Sequence, residues 1–283
     1  MAKTHLNSAL EQMLKRVPQA SDTERSQALR EVLQEVALAG LVRRGFFGKA
    51  AFYGDTCLRI FQQLPRFSED LDFSLLQPNP DFALQPYLQG LAEEFAAQGI
   101  PVEIQEKQKT IRTAIVSAFL KPSTTMVQMS FAGSASVKIK LEVDTDPPLG
   151  FQTEEQLLLQ PFSCYVKCFS LADLFAGKMH ALLFRQWKQR VKGRDWFDFE
   201  WYVRGGIPLH LEHLAERMRQ SGHWPKEQDF SAENLQMLLT KRIAGLDVLN
   251  ARQDIERFVV DPQPLEIWSQ SYFQQLAQRI QLV

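Results

Sequence analysis

The sequence predicts an α+β fold in which a mixed β-sheet half, flanked by helices, precedes an almost wholly helical half. Three observations carry this expectation. Short runs of alternating apolar and polar residues, the mark of strands with one buried face, are interleaved with helical periodicity up to about Phe169. From Ser170 onward the periodicity is helical almost throughout. No internal repeat or low-complexity tract interrupts the chain, and 45% hydrophobic residues with 23% charged over 283 positions can form a substantial core. The expected division is residues 1–169 and residues 170–283.

In chain order, residues 21–39 predict an amphipathic helix. Ser21 and Asp22 are its cap candidates, Leu29, Val32, Leu33 and Val36 fall at helical spacing, and Gly40 is the expected stop. An apolar run over 50–53 ends at Gly54, and helical spacing resumes over 56–63 through Leu58, Ile60 and Phe61, giving strand, tight turn and helix. Pro65 halts that helix, and RFSEDLDFSLL then alternates as a strand. A helix is expected over 80–98 and strands over 102–105, 111–120 and 137–143. The second half predicts helices over 171–185, 194–203, about 209–219, 232–243 and 264–280.

Composition narrows the function classes. Lys and Arg total 32 against 33 Asp and Glu, so no long-range positive field marks the whole protein as a non-specific nucleic-acid binder, and any such contact must be local. The opening MAKTHLNSALEQMLKRV has no apolar signal core, and no stretch approaches the ~20 apolar residues of a membrane span, so the expected location is the cytoplasm. Of the cysteines, Cys57, Cys164 and Cys168, only the last two have metal-like spacing, and they lack a second pair or a nearby His, so they read as thiols in or near the core.

The chemistry concentrates in the acidic strand. Successive strand residues face opposite ways, so Asp70 and Asp72 share one face about 7 Å apart while Leu71 and Phe73 anchor the other. Carboxylates so placed repel each other unless a cation lies between them, and hard oxygen ligands suit Mg²⁺ or Mn²⁺. Alone, the pair is also what a solvated strand face looks like. In SVKIKLEVDTD, Val137, Ile139, Leu141 and Val143 alternate against Lys138, Lys140, Glu142 and Asp144. If this strand neighbours the first with the acidic faces aligned, Asp144 completes a triad able to hold metal or accept a proton.

Other residues support a polyphosphate site less directly. Gly54 stands at a strand-to-helix turn, where free N–H groups can receive a phosphate, although a Gly there usually serves only the backbone. Lys178 falls on the apolar stripe of its own helix, with Leu171, Leu174, Phe175 and Leu182, so it must meet an anion or snorkel outward. Five basic residues, Arg185, Lys188, Arg190, Lys192 and Arg194, surround Trp187 and read either as a grip on a phosphate backbone or as a solvated loop. Asp195 and Asp198 follow in a first helical turn, where the helix dipole favours them anyway. The histidines form no metal-like set, and His210 with His213 is expected on an exposed helix face.

Together these segments resemble a known family. FYGDTCLRIFQQLPRFSEDLDFSL resembles the opening motif of the AbiEii/AbiGii-type nucleotidyltransferase toxins, members of the polymerase-beta-like nucleotidyltransferase superfamily. The resemblance implies a nucleotidyltransferase core with a C-terminal helical domain. It places Gly54 and Thr56 in the Gly-rich turn, Leu58 and Arg59 on the next helix, and the metal pair at Asp70 and Asp72. Lys140 and Asp144 of KLEVD fall where the family has a Lys and a third acidic residue, Lys178 matches its helical active-site lysine, and Asp195 of KGRDWFD is the acidic member of its last motif.

The implied activity is Mg²⁺- or Mn²⁺-dependent transfer of a nucleoside monophosphate from a nucleoside triphosphate to an acceptor hydroxyl. The implied acceptor is RNA, a tRNA end being one candidate, and a protein side chain is a second. The implied role is a toxin restrained by a cognate antitoxin, as in abortive-infection defence against phage. One position departs from the family: a second Gly commonly precedes the Thr, and here it is Asp55. A carboxylate there would repel a triphosphate unless it turns away. Asp55 therefore motivates an alternative, a catalytically degenerate protein of this fold that binds a nucleotide or a partner.

Overall fold

The computed structural model describes residues 12–16, 21–107, 124–131, 137–185 and 191–283. The strand expected over 111–120, and Trp187, Lys188 and Arg190 of the basic run, lie outside the described residues.

The first half begins with α1 (Asp22–Arg43), opened by a capping box between Ser21 and Glu24. It does not stop at Gly40. The position of a Cβ on Gly40 lies 3.0 Å from the Gly90 carbonyl oxygen, so this glycine lets α1 cross closely over α3 (Gln85–Ala97) rather than ending the helix. Between them run β1 (Ala50–Tyr53), α2 (Gly54–Gln62) and β2 (Leu71–Leu75). The strands that follow are β3 (Val102–Lys107), β4 (Thr124–Phe131), β5 (Val137–Asp144), β6 (Thr153–Leu158) and β7 (Cys164–Phe169).

These strands form a mixed sheet in the order β3-β4-β5-β2-β1-β7-β6. The β2/β5 and β1/β7 pairs are parallel, and β3/β4, β4/β5, β1/β2 and β6/β7 are antiparallel. β4, β6 and β7 are not among the individually predicted strands. β6, the edge strand TEEQLL, is mostly exposed and so has no apolar alternation to read, whereas Val127, Met129 and Phe131 bury one face of β4.

The helical half contains α4 (Leu171–Phe184), α5 (Gly193–Arg204), α6 (Leu211–Gln220), α7 (Ala232–Ala244), α8 (Val248–Glu256) and α9 (Gln270–Ala277). α8, capped by Asp247, was not predicted. The helix expected over 264–280 is instead a 3₁₀ turn, Gln263–Ile267, followed by α9. The chain breaks between them because Ser269 caps α9 and the buried Trp268 indole donates to Glu200 Oε2 at 2.6 Å. Buried apolar side chains of both halves form one cluster, from Val36, Phe52, Phe73 and Leu141 to Phe175, Phe199 and Phe273. Among the described residues no helix is long and apolar enough to cross a membrane.

Candidate active site

The β1–α2 junction and β2 build one wall of a cleft of about 540 Å³, within the size range of small-molecule sites. Tyr53 of β1 pairs with Asp72 of β2, so the turn at Gly54 lies against the acidic strand. Gly54 has φ +82°, and a Cβ there would lie 3.0 Å from Asp72 Oδ2. Only glycine meets both the left-handed backbone and this close approach. On the other side of β2, the parallel register sets Asp72 beside Glu142 and Ser74 beside Asp144. Lys140, one pleat earlier on the same face, reaches Glu142 Oε1 at 2.5 Å.

This crowding of carboxylates has an electrostatic cost. Burial, with Asp70, Glu142 and Asp55 adding repulsion, pushes the Asp72 carboxyl up to about 8. Burial also raises Asp70, against the pull of Lys140. A hard cation suits such oxygen donors, and Mg²⁺ commonly takes only one or two protein carboxylates, with phosphates and water completing its shell. Asp70 and Asp72 fit that requirement. Asp144 stands opposite Ser74 rather than Asp72, and among the described residues no group of three His, Cys, Asp or Glu side chains forms a ready-made metal cluster. Asp144 Oδ1 accepts from the Asp146 N–H at 3.1 Å.

The helical half forms the opposite wall, where Lys178 of α4 is buried and meets anions of the protein itself. Its Nζ lies 2.6 Å from Asp55 Oδ1, 3.0 Å from Asp195 Oδ1 and 2.7 Å from Asp198 Oδ2. Arg66, fully buried in the loop before β2, donates from Nε and Nη2 to the two oxygens of Asp198 at 2.6 Å each, and Nη2 lies 2.7 Å from Asp55 Oδ2. Burial works against every charge in this cluster. Asp198, then Asp55 and Asp195, nevertheless hold the Lys178 ammonium above its ordinary value, and Arg66 and Lys178 hold the Asp55 carboxyl well below its own. Asp55 therefore does not turn away from the site.

Gly54, Asp70, Asp72, Lys140, Asp144 and Lys178 line the cleft, whereas Thr56, Arg59 and Asp195 do not. Thr56 is buried, donates to the Asp70 carbonyl and lies 2.8 Å from Ser68 Oγ, which fixes the loop that delivers Asp70. Arg59 reaches back to α1, with Nε 2.8 Å from Glu31 Oε2 and Nη1 3.0 Å from the Leu64 carbonyl. Asp195 touches the cleft lining at Lys178, whose Nζ donates to its Oδ1 at 3.0 Å. His213 is buried rather than exposed, and His210 Nδ1 lies 2.6 Å from Asp173 Oδ1.

Other residues in or behind the cleft have no clear sequence signal. Glu142 borders Asp72 only through strand register. Arg66 is separated from its partner Asp198 by 132 positions. Arg217 of α6 lies beside the bare backbone of Gly177, and its buried Nε has no partner among the described residues. Arg185, Lys192 and Arg194 line the rim, where burial together with Arg185 and Arg194 lowers Lys192 to about 8.

A mixed sheet presenting an acidic strand to a glycine turn, faced by a helical lysine, defines a nucleotidyltransferase fold. The family description "Nucleotidyl transferase AbiEii toxin, Type IV TA system" matches residues 36–279, and the chain belongs to this family of toxin nucleotidyltransferases. Two solved structures share the fold. JHP933 from Helicobacter pylori is 18% identical with a TM-score of 0.54, over 89% of this chain and 90% of that one. MenT4, a nucleotidyltransferase toxin from Mycobacterium tuberculosis, is 15% identical with a TM-score of 0.53, over 95% of this chain and 86% of that one. No curated protein matches the sequence.

Proposed function

We propose that this protein transfers a nucleoside monophosphate from a nucleoside triphosphate to an acceptor hydroxyl, acting in the cytoplasm as a toxin with a cognate antitoxin. One observation carries the reading: Asp70 and Asp72 share a cleft with the Gly54 turn and with Lys178, so a triphosphate held at the turn would lie between carboxylates and a cation. Residues 1–169 would act as the catalytic domain and residues 170–283 as a helical domain supplying Lys178 and Asp195.

Asp70 and Asp72 would hold Mg²⁺ or Mn²⁺, which supplies charge neutralisation and polarisation of the phosphate being attacked. The backbone beside Gly54 cradles phosphate oxygens through N–H groups of the first turn of α2. The acceptor oxygen bonds to the α-phosphorus, the bond to the bridging oxygen of the β-phosphate breaks, and pyrophosphate leaves. Asp144, at the end of β5, takes the hydroxyl proton or helps hold a second ion. Lys140 is close enough to this acidic face to moderate its charge. Asp195 orients Lys178.

RNA, and a tRNA end in particular, is the proposed acceptor, with Arg185, Lys192 and Arg194 at the rim available to its phosphates. The test is incubation with each labelled triphosphate, Mg²⁺ and total RNA. Label should enter RNA with wild type and not with Asp70→Asn, and equal labelling by both would sink the metal assignment. Ribonuclease-resistant labelled protein bands would shift the acceptor to a protein side chain.

A second reading, nucleotide or partner binding without turnover, is favoured by Lys178 having three protein carboxylates around Nζ. Calorimetric nucleotide binding indifferent to Mg²⁺, with no product, would establish it.

A further inference from the structure

An ammonium has three N–H donors, and three carboxylate oxygens lie within 3.0 Å of Lys178 Nζ, from Asp55, Asp195 and Asp198. A phosphate oxygen can reach this lysine only if one of them gives way. The three differ in what they would lose. Asp198 is fully buried and shared with the Arg66 fork, and Asp195 is 6% exposed with its nearest other cation, Arg185, 3.9 Å away. Asp55 is 25% exposed, lines the cleft, and has its second oxygen 2.7 Å from Arg66. Released from Lys178, it would remain paired.

The charge balance points the same way. Arg66, Lys178 and the more distant Arg185 carry three positive charges against three negative charges on Asp55, Asp195 and Asp198, so the cluster holds no spare cation for a polyanion. Neutralising Asp55 frees one.

We propose that Asp55 is a resident anion that occupies Lys178 in the empty cleft, and that a phosphate of the incoming nucleotide takes its place on Nζ while Arg66 keeps Asp55. Asp55 thereby sets the affinity for polyphosphate. This rests on the reading of the cleft as a triphosphate site. Because the position directly follows Gly54 in the first turn of α2, the competing carboxylate belongs to the same turn that would cradle the phosphates.

The experiment is calorimetry with inorganic tripolyphosphate and with the four nucleoside triphosphates, each with Mg²⁺, on wild type, Asp55→Asn, Lys178→Met and the double variant. Asp55→Asn is expected to bind tripolyphosphate roughly tenfold more tightly, the scale on which a nearby like charge acts in a partly buried site. The gain should vanish in the Lys178→Met background. Equal or weaker binding by a folded Asp55→Asn overturns the proposal and leaves the nucleotide site standing. A gain that persists without Lys178 also overturns it, since the effect is then plain repulsion. Failure of every variant and of wild type to bind any polyphosphate sinks both the proposal and the reading beneath it. Should Asp55→Asn not fold, a crystal structure of the wild type with tripolyphosphate decides: Nζ on a phosphate oxygen and Asp55 on Arg66 alone is the expected arrangement, and Nζ still on Asp55 with polyphosphate in the cleft overturns it.

Discussion

Gly54 and Asp72 are fitted to each other: the position a Cβ would take on Gly54 lies 3.0 Å from Asp72 Oδ2, and the Gly54 backbone has φ +82°. A side chain at 54 must strain the backbone and push the carboxylate out of place together. Gly54→Ala is expected to cost about 1–3 kcal/mol of stability. Nucleotide transfer should fall far more than stability alone explains. Chemical denaturation alongside a labelled-triphosphate assay separates the two, and a variant with full transfer would show that the close approach has no role in the reaction.

The repulsion at Asp72 should be visible as pH-dependent stability. Its carboxyl is raised from 3.8 to about 8, so between these values the unfolded chain ionises at this residue while the folded chain resists. The contribution of Asp72 to stability of the metal-free protein is thus lost progressively as pH rises from about 4 towards 8, and changes little above that. Asp72→Asn should therefore melt higher than wild type by roughly 2–6 °C near pH 8. The gap should close towards pH 4. Millimolar Mg²⁺ is expected to narrow it from the wild-type side, which thermal melts across the pH range would record.

Arg66 and Asp198 form a fully buried bidentate pair linking the loop before β2 to α5. Removing one member leaves the other buried with a single counter-ion, Lys178 for Asp198 or Asp55 for Arg66, so Arg66→Met and Asp198→Leu should each destabilise by about 3 kcal/mol, the low end for breaking a buried pair. Replacing both should cost clearly less than the sum. Urea denaturation of the four proteins forms the cycle, and strict additivity would mean the pair is not coupled.

Gly193, the first residue of α5, is packed so tightly against α8 that a Cβ would lie 1.9 Å from the Ala251 carbonyl oxygen. Its N–H also donates to Asp254 Oδ2 at 3.0 Å. Gly193→Ala must displace one helix, at about 2–3 kcal/mol. Because α5 carries Asp195 and Asp198, transfer should suffer although the substitution lies outside the cleft lining. Retained activity with an unchanged melting temperature would contradict this account of the packing.

Local signals carried much of this protein. Alternation found β2 and β5, a short apolar run found β1, which is buried on both faces, and helical spacing found α4 to α7. The position of Lys178 on an apolar stripe left two outcomes, an anion partner or snorkelling outward, and the structure shows the first, with Lys178 buried among carboxylates. What failed locally failed for tertiary reasons. Gly40 read as a helix stop, but its missing side chain serves contact with α3, a relation spanning 50 positions between Gly40 and Gly90. The edge strand β6 had no buried face to betray it.

The sequence by itself determined which residue types are present at the site: an acidic strand, a glycine turn, a helical lysine and an aspartate where a second glycine is common. Register and packing alone decided their partners. Parallel pairing of β2 with β5 put Glu142, not Asp144, beside Asp72. The meeting of α4, α5 and the loop before β2 enclosed Lys178 with three carboxylates and joined Asp55 to Arg66. Lys178 with Asp55 and Arg66 with Asp198 are 123 and 132 positions apart and leave no mark in local periodicity, because their interaction exists only once burial removes water and forces each to find a counter-ion.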